Sequence, residues 1–340
     1  MTGSFPRQLR RDDVAALLGR EPLAICGPSI ARAFGMPASD AWPELPYAAW
    51  RDTLETVHRW AQIVGKVRLA RAPMTDGWWQ VPLYVTARGL TTSPIPAGDR
   101  VFELAFDFVA HELRLDVSDG TVARIPLAPR PVADFYDEVM RRLDDAGLAT
   151  PIWPVPVELL EPSPEPFDRD RVHASYDADA VRRWWRILVQ TDQVLKEVAA
   201  RFLGRVSPVQ FFWGTFDLAL SRYSGRHVEP APGAHVIERY AFDQEQVECG
   251  FWPGDARLPA PAFFAFASPP PSRDRPRPVR PTGAHFEAKL GEYVLLYDDV
   301  RRVPDPRGAL LDFFQSSYEA EATGPGWDHA KLDWQPPRVH

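Results

Sequence analysis

Apolar residues first recur every three or four positions, as on one face of a helix, and then at every second position, as on one face of a strand. The helical period begins at Tyr47, and the change to a period of two follows Gly77. An Asp119-Gly120 pair between two alternating runs is typical of a hairpin turn, and Gly147 is placed as a helix stop. These patterns predict a helix at 47–64, strands at 79–85, 102–108, 113–117 and 122–125, and a helix at 132–143.

A proline-rich connector follows this first block. Six prolines in the sixteen residues from Pro151 to Pro166 favour a stiff, extended segment, because proline fits neither a helix interior nor a central strand. The order of elements then repeats. The second block is predicted to contain a helix at 181–198, strands at 209–220, 236–242, 247–252, 263–266 and 293–297, an irregular loop at 269–281, and a last helix capped by Asp305-Pro306.

Helices beside antiparallel meanders indicate the α+β class, here with two similar halves. The helix of each half carries the pattern Trp-x-x-x-Leu, at Trp50 and Leu54 and again at Trp184 and Leu188, which suggests an internal duplication. A chance repeat of a common element order is the alternative. The predicted segments are an N-terminal helical arm at 1–40, a first half at 41–150, the connector at 151–166, a second half at 167–330 and a C-terminal tail at 331–340.

Composition narrows the classes of function. The 39 basic and 46 acidic residues give a net charge of -7, which disfavours a nucleic-acid or anionic-membrane partner. No apolar run approaches the roughly 20 residues of a membrane helix, and no secretory leader is recognisable, so a cytoplasmic protein is expected. Two cysteines make no disulfide framework. Gly-rich phosphate loops, nucleophile elbows and zinc motifs are missing from the sequence, and the oligomeric state stays open.

Three residues are candidate acid-base groups. His58 and Asp192 occupy corresponding positions on the apolar faces of the two long helices, where a buried carboxylate needs a partner. Together they could form a catalytic dyad, or each could be a structural polar group in the core. Glu245 shares a strand face with Val247 and Cys249 and is the third catalytic candidate.

A second set of polar and aromatic residues would suit a flat, mostly apolar ligand held by a few hydrogen bonds. The same aromatic residues could equally be core packing, and Asp177 is expected to cap the second long helix. The predicted ligand-binding residues are Gln80, Tyr84, Gln210, Phe212, Trp213, Gln244, His173 and Tyr176, and no metal ligand is predicted.

Several segments also resemble a bacterial family of unknown function, over about Trp42 to Asp328. In the family pattern histidine is frequent where this chain has Gln80, Gln210, Gln244 and Glu287. Several histidines and a carboxylate would be a plausible metal set. If the family binds a metal, the resemblance implies that this member has lost it and kept polar side chains that still hydrogen-bond a ligand. The matching segments are WPELPY at 42–47, QIVGKVR at 62–68, YVTARGLTTSPIP at 84–96, HASYD at 173–177, FFWG at 211–214, FDL at 216–218 and GFWPG at 250–254.

The sequence favours a small-molecule enzyme with an acid-base site, and no cofactor, in an aromatic cleft between the halves. Rearrangement, cyclisation, elimination or hydrolysis of a biosynthetic intermediate would each fit such a site. The alternatives are a non-catalytic ligand-binding protein, a scaffold, and an enzyme that keeps a divergent metal site.

Overall fold

The computed structural model describes residues 41–271 and 276–334. The predicted N-terminal arm, residues 272–275 of the predicted loop and residues 335–340 of the predicted tail lie outside this part of the chain. The helices are α1 (Tyr47–Arg71), α2 (Val132–Asp145), α3 (Ala178–Ala200), α4 (Val236–Ala241), α5 (Tyr297–Arg301), α6 (Pro306–Thr323) and α7 (His329–Leu332), with a 3-10 turn at Asp76–Trp78.

The strands form two antiparallel sheets of six strands each, which confirms the α+β class. The order is β1-β2-β4-β5-β6 in the first sheet, with β3 beside β4, and β11-β12-β10-β9-β8-β7 in the second. The two orders differ, and the internal duplication stays a prediction. The strands are β1 (Tyr84–Val85), β2 (Gly89–Thr91), β3 (Ile95–Ala97), β4 (Arg100–Asp107), β5 (Glu112–Val117), β6 (Val122–Pro126), β7 (Gln210–Phe212), β8 (Asp217–His227), β9 (Gln244–Trp252), β10 (Ala262–Ser268), β11 (His285–Glu287) and β12 (Glu292–Leu296).

One pair of residues joins the two sheets. The amide of Leu83 donates to the carbonyl of Phe211 at 2.9 Å, and the amide of Phe211 donates back at 2.8 Å. Leu83 directly precedes β1, and Phe211 lies in β7, the edge strand of the second sheet. Strands from the two predicted halves therefore share backbone hydrogen bonds.

Two long helices supply much of the core. Trp60 of α1 and Trp184 of α3 are fully buried, and the Trp184 ring stacks on Phe216 with 4.9 Å between ring centroids. Helix α3 contacts β8 and β9, and α6 contacts β9 and β10. One face of the second sheet is therefore covered by helices. None of the helices in residues 41–271 and 276–334 is long and apolar enough to span a membrane.

Three strand predictions need correction. Residues 236–241 form helix α4, because His235 and Glu238 make a capping box at its start. The predicted strand 79–85 begins as a turn, in which the amide of Val81 donates to the carbonyl of Trp78, and only residues 83–85 pair with other strands. The predicted strand 209–220 is two strands, because the chain turns where the amide of Phe216 donates to the carbonyl of Phe212.

The predicted helices agree with the structure more closely than the predicted strands do. Asp177 caps α3 through bonds from the amides of Asp179 and Ala180, and Asp305 caps α6 by accepting from the amide of Gly308. The proline-rich connector contains neither helix nor strand. It lies along α1, where Gln62 makes two hydrogen bonds to the backbone of Val157 and Lys66 donates to the carbonyl of Val155.

Candidate functional site

Carboxylates are gathered on one face of the second sheet by its strand register. Glu248 of β9 lies opposite Ser221 of β8 and opposite Phe266 of β10. Glu292 comes one residue before Tyr293, the partner of Ala265, and so falls in the same row across the sheet. Asp217 is four residues before Ser221 and projects from the same face, because strand side chains alternate. We call this surface, with Asp217, Ser221, Glu248 and Glu292, the acidic face.

The opposite face of the same strands is mostly apolar, apart from Arg222 of β8 and Glu245 of β9. Leu220, Cys249, Phe263 and Leu295 are buried there in the core that α3 and α6 cover. The separation is a consequence of alternation, since each strand presents one apolar and one mixed face. The acidic face therefore lies on the side of the sheet away from those two helices.

Small residues and aromatic rings lie between the carboxylates. Ala219 pairs with Gly250, and Gly250 pairs with Phe264. A Cβ atom on Gly250 would lie 2.8 Å from the Phe264 ring, so the ring covers this glycine. Phe264 stacks on Phe266 with 6.2 Å between ring centroids. The acidic face thus combines charged groups with a flat apolar surface.

Burial, with repulsion between neighbouring carboxylates, raises the pKa values of these acids. Asp217 is 7% exposed, and burial, with added repulsion from Glu248, raises its pKa well above the ordinary value, although Thr215 donates a hydrogen bond to it. Burial raises the pKa of Glu248, which accepts a 2.7 Å bond from Ser221. Burial and the charge of Glu248 raise the pKa of Glu292 to about 7. Titratable groups displaced toward neutral pH are typical of acid-base sites.

The arginines at the rim are already paired. Arg257 bonds to Asp255 at 2.7 Å and lies over the Trp252 ring, where its charge lowers the pKa of Glu292. Arg205 lies 3.8 Å from the centroid of the Tyr223 ring and makes an ion pair with Asp76. Asp217, Glu248 and Glu292 make no ion pair within the part of the chain that the structure describes.

Strand β9 carries further acceptors on the acidic face. Gln246 alternates with Glu248, is 2% exposed, and its Oε1 has no hydrogen-bond partner among the described residues. Gln244 lies two residues before Gln246 in β9 and therefore on the same face. Its Oε1 atom is likewise buried and has no hydrogen-bond partner within residues 41–271 and 276–334. An unpaired buried acceptor is costly, so these atoms are suited to a donor from a ligand.

Besides Gln244, two more of the predicted ligand-binding residues belong to this face. Gln210 pairs with Ala219, and Phe212 pairs with Asp217, so both side chains project beside the carboxylates. Gln210 is 1% exposed and donates to the hydroxyl of Tyr84 at 3.3 Å. The tertiary structure therefore brings Gln210, Tyr84 and Phe212 to one region.

Tyr84 also lines a groove that contains Asp192. The groove has a volume of about 260 Å³ and includes Lys196 and Ser207. Nζ of Lys196 lies 2.6 Å from Oδ2 of Asp192. Burial raises the pKa of Asp192, and the charge of Lys196 opposes this effect. Asp192 is thus held in a pair within its own helix.

His58 and Asp192, the predicted dyad, share no hydrogen bond or ion pair in the part of the chain that the structure describes. Nε2 of His58 lies 2.8 Å from the carbonyl oxygen of Gly214 and 3.2 Å from the amide nitrogen of Gln62. Burial lowers the pKa of His58 to about 4, so the imidazole is neutral at pH 7. Since a carbonyl can only accept, Nε2 carries the proton and donates it to Gly214.

Trp213 and Gln80 have structural contacts. The indole of Trp213 donates to the carbonyl of Val81 at 2.9 Å and packs against Gly65 of α1. Oε1 of Gln80 accepts from the amide of Thr75 at 3.0 Å and so closes the turn before β1. Neither side chain shares a hydrogen bond with the carboxylates of the acidic face.

His173 and Tyr176 belong to a separate polar network. Nδ1 of His173 lies 2.7 Å from Asp170, which also makes an ion pair with Arg59 of α1. The hydroxyl of Tyr176 lies 2.8 Å from Nδ1 of His111. These contacts tie the segment before α3 to α1 and to the first sheet.

Glu245 lies on the opposite face of β9 from Glu248. Its carboxylate accepts from Ser224 at 3.0 Å, from Arg226 at 2.8 Å and from the indole of Trp327 at 3.1 Å. Together with Trp327 it lines a groove of about 240 Å³ beside prolines 269–271. Glu245 therefore bonds to partners other than His58 and Asp192, with which it was predicted to act.

The four positions at which the resemblance implied family histidines do not form one cluster. Gln210 lies on β7 and Glu287 on β11, which are opposite edges of the second sheet. Five strand spacings of about 4.8 Å put these edges about 24 Å apart. Across residues 41–271 and 276–334, no three His, Cys, Asp or Glu side chains are grouped so as to hold a metal ion.

The sequence prediction missed Asp217, Glu248 and Glu292 as site residues. A signal was present, because Asp217 and Ser221 alternate with leucines, and Glu248 alternates with Val247 and Cys249. The choice of Glu245 over Glu248 depended on which face of β9 meets the core. That choice needs the partner strands, and the sequence of β9 alone does not supply them.

Comparison with known proteins gives one match. The sequence profile of a family of unknown function (DUF5996) matches residues 42–334. No curated protein matches the chain. No solved structure matches it either. Because the matched region covers most of the sequence, the chain belongs to this family of unknown function.

Proposed function

We propose that the protein is a small-molecule enzyme whose acid-base groups are the carboxylates of the acidic face. The supporting observation is that Asp217, Glu248 and Glu292 interact electrostatically on one sheet face and have raised pKa values. The proposal keeps the acid-base chemistry expected from the sequence and moves it from His58, Asp192 and Glu245 to these three residues.

Coupled carboxyl groups can divide the tasks of a proton transfer. A carboxyl group that stays protonated near neutral pH donates a proton, and an ionised neighbour accepts one. The pKa of Asp217 is raised well above its ordinary value, and Asp217 is therefore assigned the acid role, whereas Glu292, with a pKa of about 7, can act in either direction. Rearrangement, cyclisation, elimination or hydrolysis of a biosynthetic intermediate fits this arrangement. A cytoplasmic location remains part of the proposal.

The test is an untargeted search for turnover. Purified wild-type protein, Asp217→Asn and Glu248→Gln are incubated with a bacterial metabolite extract, and consumed compounds are identified by mass spectrometry. Glu112→Gln is the matched control, because Glu112 pairs with Arg124 on the first sheet. We expect wild type and the control to consume at least one compound that both other variants leave unchanged.

Two outcomes would contradict the enzyme assignment. A compound that binds wild type and is released chemically unchanged indicates a ligand-binding protein. If wild type, Asp217→Asn and Glu248→Gln consume a compound equally, the acidic face takes no part in the reaction.

A further inference from the structure

The charge and hydrogen-bonding pattern of the acidic face constrains the chemistry of its ligand, and this inference rests on the proposed function. We infer that the ligand carries a basic nitrogen, as an ammonium or amidinium group, joined to a flat apolar body. Three observations support this assignment, namely the carboxyl groups, the unpaired acceptors and the aromatic rings.

The face carries three carboxyl groups, and none of them makes an ion pair within the part of the chain that the structure describes. The two arginines at its rim, Arg205 and Arg257, are each paired with an aspartate. The charges that raise the pKa of Asp217 are those of Glu248, Glu158 and Glu292. An anionic ligand would add a further negative charge to this set, whereas a cation would relieve the repulsion.

The unpaired polar atoms of β9 are acceptors. Oε1 of Gln246 and Oε1 of Gln244 lie on the same face as Glu248, and both are buried without a donor within residues 41–271 and 276–334. Alternate residues of a strand are about 6.8 Å apart, so these oxygens extend the carboxylate row along the strand. An ammonium has three donors and no acceptor and therefore complements this row. This observation is independent of the charges.

Aromatic rings supply the place for the rest of the ligand. Phe266 and Trp252 are half-buried on the acidic face, and the tip of the Phe264 ring lies over Gly250. A cation near an aromatic ring gains about 0.5–2 kcal/mol, and a planar apolar group gains from area burial. A divalent metal fits less well, because no group of three ligating side chains occurs in the described part of the chain.

The inference is tested with matched triplets of small aromatic compounds that differ only in one group. The probes are 2-phenylethylamine, 2-phenylethanol and phenylacetate, together with their naphthyl counterparts, and binding is measured by ligand-observed NMR and calorimetry. We expect the amines to bind at least about tenfold more tightly than the alcohols, and the carboxylates to bind most weakly. Since a bound cation favours ionised carboxylates, amine binding near pH 6.5 should release protons.

Variants of the acidic face separate a failure of the amine inference from a failure of the proposed site. Glu248→Gln and Asp217→Asn should each lose most of the amine preference and the proton release, whereas Glu112→Gln should keep both. If the alcohol or the carboxylate binds as tightly as the amine and still depends on Glu248, the amine inference is overturned and the proposed site stands. If no compound of either triplet binds, or if binding is the same in Glu248→Gln and wild type, the amine inference and the proposed site are both overturned.

Discussion

Gly65 of α1 lies directly against the indole ring of Trp213, so that a Cβ atom at residue 65 would be 2.3 Å from the ring. Trp213 in turn donates its indole N–H to the carbonyl of Val81, beside the residues that join the two sheets. A glycine in the middle of a long helix is usually unfavourable. Here it allows the loop after β7 to approach α1.

The first prediction follows from this contact. Gly65→Ala should lower the free energy of unfolding by about 1–3 kcal/mol, because the added methyl group overlaps a buried ring. In an uncrowded helix interior the same substitution would stabilise by about 0.5–1 kcal/mol. Chemical denaturation measures the difference. The Gly65→Ala cost should largely disappear in a Trp213→Leu background, and an equal cost in both backgrounds would contradict the contact.

A second prediction concerns the connector. Gln62 is fully buried, and its amide group bonds to both the N–H and the C=O of Val157. Gln62→Leu leaves these backbone groups unpaired and should destabilise the fold by about 2 kcal/mol. Limited proteolysis should then cut within residues 151–166 sooner than in wild type. The control is Gln193→Leu on the exposed side of α3, for which proteolysis should be unchanged.

The third prediction concerns His58. Burial holds its pKa at about 4, against an ordinary value of 6.5. The unfolded chain therefore binds more protons than the folded one between these values, so the free energy of unfolding should fall as the pH drops from 6.5 to 4. An NMR titration of the imidazole should give a midpoint near 4. His58→Gln should flatten the pH dependence in this window, and a midpoint near 6.5 in the folded protein would contradict the burial.

The fourth prediction concerns Glu292, for which the free energy of unfolding should change with pH in the opposite direction to that for His58. Its pKa is raised from 4.5 to about 7 in the folded protein, first by burial and then by Glu248. Between these values the folded state holds the extra proton, so stability should decrease as the pH rises from 4.5 to 7. Glu292→Gln should remove this loss and be more stable than wild type at pH 7.5. A pH profile identical to that of wild type would show that Glu292 is not shifted.

Much of the local structure could be predicted from the sequence. The long helices followed from apolar spacing, and their starts followed from Asp177 and Asp305, because capping uses residues close together in the chain. Turn chemistry was harder to predict. Phe216 has a positive φ angle although it is neither Gly nor Asn, and the predicted strand 209–220 is interrupted there without an obvious signal in the sequence.

The candidate site depended on contacts that are distant in sequence. The sequence by itself determined the α+β class, the main helices and the presence of polar residues that alternate with apolar ones along β8 and β9. Only the tertiary structure decided that Asp217, Glu248 and Glu292 share a face, and that His58 and Asp192 bond to other partners. The reason is that strand register is set by partners many residues away, and a shift of one residue would exchange the acidic face with the core face.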